Sequence, residues 1–200
     1  MAGMAIDAGA AGQDLSTRIG RSIRVLRQRQ GLTLVQLATR AELSHPFLSQ
    51  LERGLARPSM ASLHRLAQAL GTTQPALMSM AADDGAALSP DGRVSLVTAG
   101  SGVPVDNPGG VARSLVAGAR AIYPVLFDGA PTAFGQAYTH PGDEFVHVIA
   151  GSIEVEVQDE GLFVLTPGDT LYYPGVLPHR WRQLAGPTSR ILLVQDARAH

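Results

Sequence analysis

The sequence predicts two domains, an all-α bundle of five helices followed by an all-β barrel. Up to about residue 80 the apolar residues recur with the period of a helix. Beyond residue 92, Pro and Gly separate short runs rich in Val, Ile, Tyr and Phe. The charge changes at the same place, because the first 80 residues hold nine arginines against four acidic residues and the remainder holds seven against thirteen. The net charge of −1 is therefore the sum of about +5 in the first 80 residues and −6 in the remainder. A basic domain beside an acidic one is the pattern expected when one domain must approach a polyanion.

Amino-acid composition and the positions of Pro and Gly predict the domain boundaries. Residues 1–13 are rich in Ala and Gly and are predicted to form a disordered tail, since they have little to bury. Residues 14–80 form the predicted helical domain, residues 81–92 (AADDGAALSPDG) a linker, and residues 93–197 the barrel. A chain of 200 residues is long enough for both domains to bury a core.

Several classes of protein are excluded by what the sequence lacks. There is no cysteine, so a disulfide framework, a thiolate zinc site and a cysteine nucleophile are ruled out. The sequence has neither a basic start followed by an apolar segment nor an uninterrupted apolar stretch long enough to cross a membrane. We therefore expect a soluble, cytoplasmic protein with no membrane partner.

The five predicted helices follow from apolar spacing and capping residues. The first carries Leu15, Ile19, Ile23 and Leu26 on one stripe and ends at Gly31. Four polar residues mark the starts of the other helices, and the first of them belongs to a Thr-x-x-Gln capping box. These residues are Thr33, Ser44, Ser59 and Thr73.

Seven short runs predict the strands of the barrel, which are expected to pair antiparallel. The runs are Arg93–Val97, Thr132–Thr139, Glu144–Ile149, Ser152–Val157, Leu162–Leu165, Thr170–Tyr173 and Arg190–Val194. Between the first two runs, residues 100–110 are predicted to form a long loop.

The second and third helices, with the short connection Ala41-Glu42-Leu43, have the lengths of a helix-turn-helix, whose second helix enters the major groove of DNA. The stretches GLTLVQLATRAELSHPFLSQLERG and RPSMASLHRLAQALG resemble the phage-repressor-like (Xre) helix-turn-helix family over about residues 15–80. The resemblance implies that one group of side chains faces base edges and another lies near phosphates. The first group is Ser44, His45, Pro46 and Gln50, and the second is Thr33, Arg53 and Arg57.

Three details of this resemblance can be checked. Gln50 suits base readout, because an amide can bond N6 and N7 of adenine together. Arg27 and Glu52 match positions that pair in repressors of this family, which predicts a salt bridge between the first and third helices. Glu42 stands where the family usually has Gly, and its backbone is strained if the turn requires a positive φ.

The barrel half contains a group of residues that suits a ligand or a metal. Tyr138 and His140 have the same parity on a predicted strand, Glu144 begins the next strand, and His179 follows about forty residues later. If the strands close into a small barrel, these side chains converge inside it. Two imidazoles and a carboxylate suit Mn, Fe, Ni or Zn. A metal-free pocket lined by the same hydrogen-bonded polar groups is the alternative.

The spacing His140-x3-Glu144-x6-Gly151, followed by Gly168-x5-Pro174-x4-His179, resembles the two cupin motifs and covers about residues 93–197. The resemblance implies that His140, Glu144 and His179 hold a metal where one is present. Tyr138 replaces the first histidine of the usual motif and is expected to donate its hydroxyl to a ligand. Val176 replaces the glycine of the second motif.

Together the two domains resemble the Xre–cupin regulators. This implies a non-enzymatic transcriptional regulator that binds a double-stranded DNA operator, senses a small-molecule effector in its cupin domain and forms a homodimer. The competing interpretation is a metal-dependent cupin oxygenase or isomerase with a DNA-binding appendage. A DNA-binding scaffold with a ligand-free barrel is the third. No residue is predicted to be catalytic.

Overall fold

The computed structural model describes residues 8–82, 87–88, 93–99 and 104–196. Five helices come first, as predicted: α1 (Ala8–Arg29), α2 (Leu34–Arg40), α3 (His45–Glu52), α4 (Met60–Ala69) and α5 (Gln74–Ala81).

Two of the predicted boundaries differ from the structure. Helix α1 begins at Ala8, so residues 8–13 are helical and not part of a disordered tail, since alanine is the strongest helix former and extends the helix towards the N-terminus. Residues 1–7 lie outside the described residues. Within the predicted linker, Ala87–Leu88 forms strand β1 by pairing with Ser95–Leu96, and most of its other residues are not described.

The helix starts are where the capping residues predict them. Thr33, Ser44, Ser59 and Thr73 are the N-caps of α2 to α5, and each side chain accepts a hydrogen bond from the backbone N–H three residues later. The capping box of α2 is complete, because the Gln36 side chain also accepts from the Thr33 backbone N–H.

The helical domain packs around one apolar core. Ile19 and Ile23 of α1 are buried in this core. Helix α1 packs on α3, and Gly20 makes this approach possible, since a Cβ there would lie 2.0 Å from the Leu51 carbonyl oxygen. The predicted salt bridge between Arg27 and Glu52 is confirmed. Arg27 Nε lies 2.7 Å from Glu52 Oε1, and its Nη2 lies 2.9 Å from Oε2.

The β domain consists of antiparallel strands, which confirms the predicted fold class. The longest sheet has the order β3-β4-β5-β11-β6-β9, a second sheet has the order β10-β7-β8, and β1 pairs with β2. The strands are β2 (Ser95–Leu96), β3 (Pro104–Asn107), β4 (Gly110–Ser114), β5 (Ile122–Gly129), β6 (Asp143–Ala150), β7 (Ile153–Val157), β8 (Gly161–Leu165), β9 (Thr170–Pro174), β10 (His179–Gln183) and β11 (Arg190–Asp196).

Some strand predictions were wrong. The run Thr132–Thr139 is not a strand, and its one ladder contact is a bridge between Tyr138 and His179. The predicted loop over residues 100–110 contains strand β3. Strands β4, β5 and β10 were not predicted at all.

The two domains contact each other directly. Helix α5 packs on β4 and β5, and α4 lies against β3. Ser79 Oγ donates to the Gly118 carbonyl at 2.6 Å, and the Gly118 N–H donates to the Ser79 carbonyl at 3.0 Å. Gln68 Nε2 also donates to the Thr139 carbonyl at 3.4 Å. Within the described part of the chain, we find no helix that is both long and apolar enough to cross a membrane.

Candidate functional site

The first residues of α3 and one face of the rest of the helix are exposed to solvent. Ser44, His45, Pro46 and Gln50 are all exposed, whereas Leu48 and Leu51 of the same helix are fully buried. Ser44 Oγ accepts from the Phe47 N–H, so its side chain caps the helix. One face of α3 is therefore held in the core, which leaves the opposite face available for a major groove.

The three residues predicted to lie near phosphates are exposed as well. Thr33 caps α2, and Arg53 and Arg57 follow the end of α3. Arg53 Nε donates to the Ser49 carbonyl at 3.3 Å.

The turn between α2 and α3 contains a strained residue. Glu42 has φ = +52°, the conformation in which the family usually places Gly. Arg65 of α4 donates to the Glu42 carbonyl at 3.3 Å and ties the turn to the helical core. The condition under which Glu42 would be strained is therefore met.

In the β domain, the structure brings His140, Glu144 and His179 together. Nε2 of His140 lies 2.9 Å from one oxygen of Glu144, and Nε2 of His179 lies 3.8 Å from the other. The three side chains are 8%, 2% and 4% exposed. One potential ligand atom from each of the three side chains lies within 4.8 Å of the other two.

Strand register explains why Glu144 lies at the centre of this cluster. On β6 it stands directly opposite Tyr173 of β9 on one side and Gln195 of β11 on the other. The Tyr173 hydroxyl donates to Oε1 of Glu144, and Gln195 Nε2 donates to Oε2 at 2.8 Å. Both neighbouring strands thus orient the carboxylate.

Backbone carbonyls orient the two imidazoles. Nδ1 of His179 lies 2.8 Å from the Leu177 carbonyl oxygen, and Nδ1 of His140 lies 3.2 Å from that of Pro141. A carbonyl only accepts, so each Nδ1 carries a proton, and each Nε2 is directed towards Glu144. This outer hydrogen bond is the arrangement that metal-binding histidines use. Nε2 of His140 donates to the carboxylate when the imidazole is protonated at both nitrogens.

The electrostatics of the cluster favour an ionised carboxylate. Burial alone raises the pKa of Glu144, but the hydrogen bond from His140, the attraction of His179 and His140 and the Tyr173 hydroxyl together lower it below its usual range. Burial lowers the pKa of His140, but the hydrogen bond and charge of Glu144, with the Pro141 carbonyl, outweigh burial and raise it.

These residues fit a divalent metal ion. Two imidazole nitrogens and one carboxylate oxygen form a donor set used by Zn, Fe, Mn and Ni. In this cluster each donor is buried and held by a second hydrogen bond. Ligands of one ion with bonds of about 2.0–2.2 Å lie roughly 3 Å apart, so small side-chain movements would suffice to bind it.

Tyr138 lies in the same cavity but not on a strand. Its backbone N–H and carbonyl pair with His179, and its ring meets the His64 ring edge to face with centroids 4.8 Å apart. His64 belongs to α4 of the helical domain and is buried. Burial, with the nearby His140 and His179, lowers the pKa of His64 to about 4. The sequence contained no signal for this contact between the domains.

The four residues predicted to form a ligand pocket line one cavity of about 160 Å³. Its walls come from both domains. Phe127, Trp181 and Leu193 belong to the barrel, and Met60 and Met78 belong to the helical domain. Asn107 Nδ2 and Gln195 Oε1 are buried without a partner in residues that line it. The cavity therefore has an apolar body and a polar floor, which is the usual composition of a small-molecule site.

Sequence reasoning missed three residues that position the cluster. Tyr173 and Gln195 hold Glu144, and Gln195 was detectable as a polar residue at the inward parity of Ile191 and Leu193. Gly175 makes room for His140, because a Cβ there would lie 2.1 Å from His140 Cε1. The predicted glycine position at Val176 is thus offset by one residue.

Family models match both halves of the chain. The helix-turn-helix domain covers residues 18–79, and the cupin domain covers residues 125–194. These matches and the geometry define a two-domain protein with a helix-turn-helix unit and a cupin barrel.

Named relatives place the chain in a family. It is 37% identical over 65 residues to the uncharacterized HTH-type transcriptional regulator y4dJ of Sinorhizobium fredii, covering 32% of this chain and 84% of y4dJ. It is 47% identical over 51 residues to the HTH-type transcriptional regulator DdrOP3 of Deinococcus deserti, covering 26% of this chain and 40% of DdrOP3. It therefore spans most of the first relative and less than half of the second. The chain belongs to the HTH-type transcriptional regulators, with an Xre-like helix-turn-helix and a cupin domain.

One solved structure shows the same two-domain fold. An HTH_3 family transcriptional regulator from Vibrio cholerae matches 94% of this chain and 99% of its own, with a TM-score of 0.66 at 19% identity. The hydroxypropylphosphonic acid epoxidase from S. wedmorenis matches 90% of this chain and 97% of its own at 21% identity, with a TM-score of 0.46.

Proposed function

We propose that this transcriptional regulator binds an operator through α3 and that its cupin cavity senses a small effector. The observation that carries the proposal is the cavity shared by the two domains, which has the His140–Glu144–His179 cluster at its floor. A ligand there contacts the DNA-binding domain as well as the barrel. Its affinity therefore depends on how the domains are arranged, which is the condition for a switch.

The exposed residues of the helical domain have different roles in this proposal. Ser44, His45, Pro46 and Gln50 face base edges, and Thr33, Arg53 and Arg57 contact phosphates. Gln50 is exposed on the face of α3 opposite the buried Leu48 and Leu51. Its amide can therefore reach a base without disturbing the core.

The DNA interface is tested by comparing two variants on two DNAs. An operator is first obtained by selection from random duplexes. Gln50→Ala should weaken operator binding by about 1–3 kcal/mol and leave random DNA nearly unaffected. Arg53→Ala should weaken binding to both and reduce the salt slope by about one, because a phosphate contact carries no sequence information. An equal loss on both DNAs for Gln50→Ala would remove this residue from base readout.

We further propose a homodimer in the cytoplasm, where the operator is accessible. Two helix-turn-helix units on one two-fold axis read two half-sites about one DNA turn apart. The mass of the protein under native conditions and the symmetry of the selected operator test the dimer together. A monomer bound to a single half-site contradicts it.

The cluster supports a divalent metal held by His140, Glu144 and His179. Zinc titration of the full chain should saturate at one ion per chain. His140→Ala and His179→Ala should each lose that binding and keep operator affinity, since neither residue lies in the helix-turn-helix. Gly175→Ala tests the positioning of His140 without removing a donor atom, and weaker zinc binding is expected.

A metal-dependent oxygenase or isomerase is the second candidate, because the same three donors leave coordination positions open for a substrate. A bound ion would supply Lewis-acid polarisation of an oxygen ligand, and the chain itself would orient and shield that ligand. Turnover of a small acid by the iron-loaded protein, absent in His179→Ala, would favour this candidate.

A further inference from the structure

The apolar wall of the cavity is made by both domains. The barrel side consists of Phe127 and Trp181, whose rings meet edge to face with centroids 5.1 Å apart. The helical side consists of Met60, the first residue of α4, and Pro75 and Met78 of α5. A molecule seated on the cluster can thus contact two aromatic rings and two methionines.

We infer that the cavity takes a small aromatic acid or a similar oxygen chelator, and that Met60 and Met78 of the DNA-binding domain determine its specificity. The oxygen atoms of the ligand would lie at the His140–Glu144–His179 cluster, and its ring would lie between Trp181 and Met78. This inference rests on the effector site proposed above and adds the class of ligand and the residues that select it.

Size and chemistry support a single ring. The cavity measures about 160 Å³, and an apolar cavity of about 150 Å³ holds a molecule the size of benzene. Thioether sulfur and aromatic edges both favour contact with another ring. The polar groups lie at the opposite end, where two imidazoles and a metal suit an acidic oxygen pair.

The position of the methionines links recognition to regulation. Pro75 and Met78 lie on α5, which is bonded to the barrel through Ser79 and Gly118. A ring-bearing ligand therefore contacts the helix that joins the domains. An acid without a ring reaches the cluster alone and leaves α5 untouched.

The test uses the full-length protein loaded with zinc and two probes, acetohydroxamate and benzohydroxamate, which differ in the ring. Trp181 is the one tryptophan of the chain and lines the cavity, so its fluorescence reports binding. We expect benzohydroxamate to bind at least tenfold more tightly than acetohydroxamate. Met78→Ala should lower this preference at least threefold and leave acetohydroxamate affinity unchanged.

A control variant and a second measurement distinguish direct contact of Met78 with the ligand from a general loss of protein stability. Met80→Ala removes a methionine from the same helix outside the cavity lining and should keep the full preference. In the unmodified protein, benzohydroxamate should slow hydrogen exchange along α5, and acetohydroxamate should not.

Three outcomes overturn the inference. Equal affinity for the two probes excludes a ring site, and an unchanged preference in the Met60→Ala/Met78→Ala double variant excludes the helical wall. Both leave the proposed metal site intact. If zinc and acetohydroxamate do not bind at all, the proposed metal-based effector site fails together with the inference.

Discussion

At the residue scale, the pair Arg27–Glu52 joins the first and third helices through a fully engaged guanidinium. Two hydrogen bonds run to the carboxylate, and Nη1 donates to the Leu32 carbonyl at 2.7 Å. The side chains are only 12% and 6% exposed. A buried ion pair adds little to the free energy of unfolding compared with two well-packed apolar side chains in its place. Removing only one partner is nevertheless costly, because it leaves a buried charge without its counter-charge.

Glu52→Ala should therefore lower the free energy of unfolding of the helical domain by about 3–5 kcal/mol. Urea unfolding followed by circular dichroism measures this change. The control Arg24→Ala, on the exposed side of α1, should change it by less than about 0.5 kcal/mol. The double variant Arg27→Met/Glu52→Leu should recover most of the loss. If Glu52→Ala is as stable as Arg24→Ala, the pair does not hold the two helices together.

The residues of the cluster were predictable to different degrees. The resemblance to the two cupin motifs was enough to predict that His140, Glu144 and His179 converge, because the motif spacing is a property of the sequence alone. Tyr173 and Gln195 act through strand register, and the register of β6 with β9 and β11 is a property of the folded sheet. Gly175 is required by the place of the His140 ring, which depends on three-dimensional packing.

At the element scale, the turn between α2 and α3 is the strained part of the DNA-binding unit. A residue with a Cβ at φ = +52° costs about 1–2 kcal/mol, and glycine avoids this cost at the expense of a more flexible unfolded chain. Glu42→Gly should thus raise the free energy of unfolding by about 0.5–1 kcal/mol. Glu42→Ala keeps the Cβ and should bring no gain. A gain of the same size in both variants would assign the effect to the carboxylate charge instead of the backbone.

Helices and strands differed in how far the sequence specified them. The starts of α2 to α5 are each set by a local hydrogen bond between a capping side chain and a backbone N–H, which a short sequence window contains. Strand β10 has the sequence HRWRQ and little apolar character. It is stabilised across the sheet, where Arg180 and Arg182 stand opposite Glu156 and Glu154 and form ion pairs with them. These ion pairs cannot be predicted from the sequence of β10 alone, because they depend on which strand lies beside it.

Strand β5 shows a second reason why the strands were harder to predict than the helices. Its sequence IYPVLFDG contains Pro124, and proline weakens the sequence signal for a strand because it cannot donate to a ladder. In the structure Pro124 stands opposite Val194 of β11, and its carbonyl accepts from the Leu115 N–H at 2.9 Å just past the last paired residues of β4 and β5. Proline is tolerated at this position because it only accepts there. The run Thr132–Thr139 shows the opposite error. Its sequence pattern predicted a strand, but in the structure only Tyr138 pairs with another strand, through the bridge to His179.

At the scale of the whole molecule, His64 connects the DNA-binding domain to the cavity. It lies on α4, packs on Tyr138 and is close to the two imidazoles of the cluster. Burial first, and then the proximity of His140 and His179, lower its pKa from 6.5 to about 4. The folded protein therefore keeps His64 neutral where the unfolded chain binds a proton.

The sign of the pH effect follows from this difference. Above pH 6.5 neither state protonates His64, and its titration leaves stability unchanged. As the pH falls from 6.5 to about 4, the unfolded state alone gains the proton, so stability decreases and then levels off. We expect the free energy of unfolding to fall by about 1–2 kcal/mol over this range. This is less than the whole pKa shift of His64 would give, because His64 lines an open cavity and solvent screens its charge.

Two variants isolate this contribution. His64→Gln keeps a polar side chain and His64→Phe keeps the ring on Tyr138, and neither can titrate. Both should unfold with a flatter dependence on pH between 6.5 and 4 than the unmodified protein. Far-ultraviolet circular dichroism follows mainly the helices and Trp181 fluorescence follows the barrel, so the two signals show whether the domains respond together. Because the shift arises where the domains meet, both signals should move with pH in the unmodified protein. A pH dependence confined to the helical signal, or one that persists in both variants, would place the acid-sensitive group away from the contact between the domains.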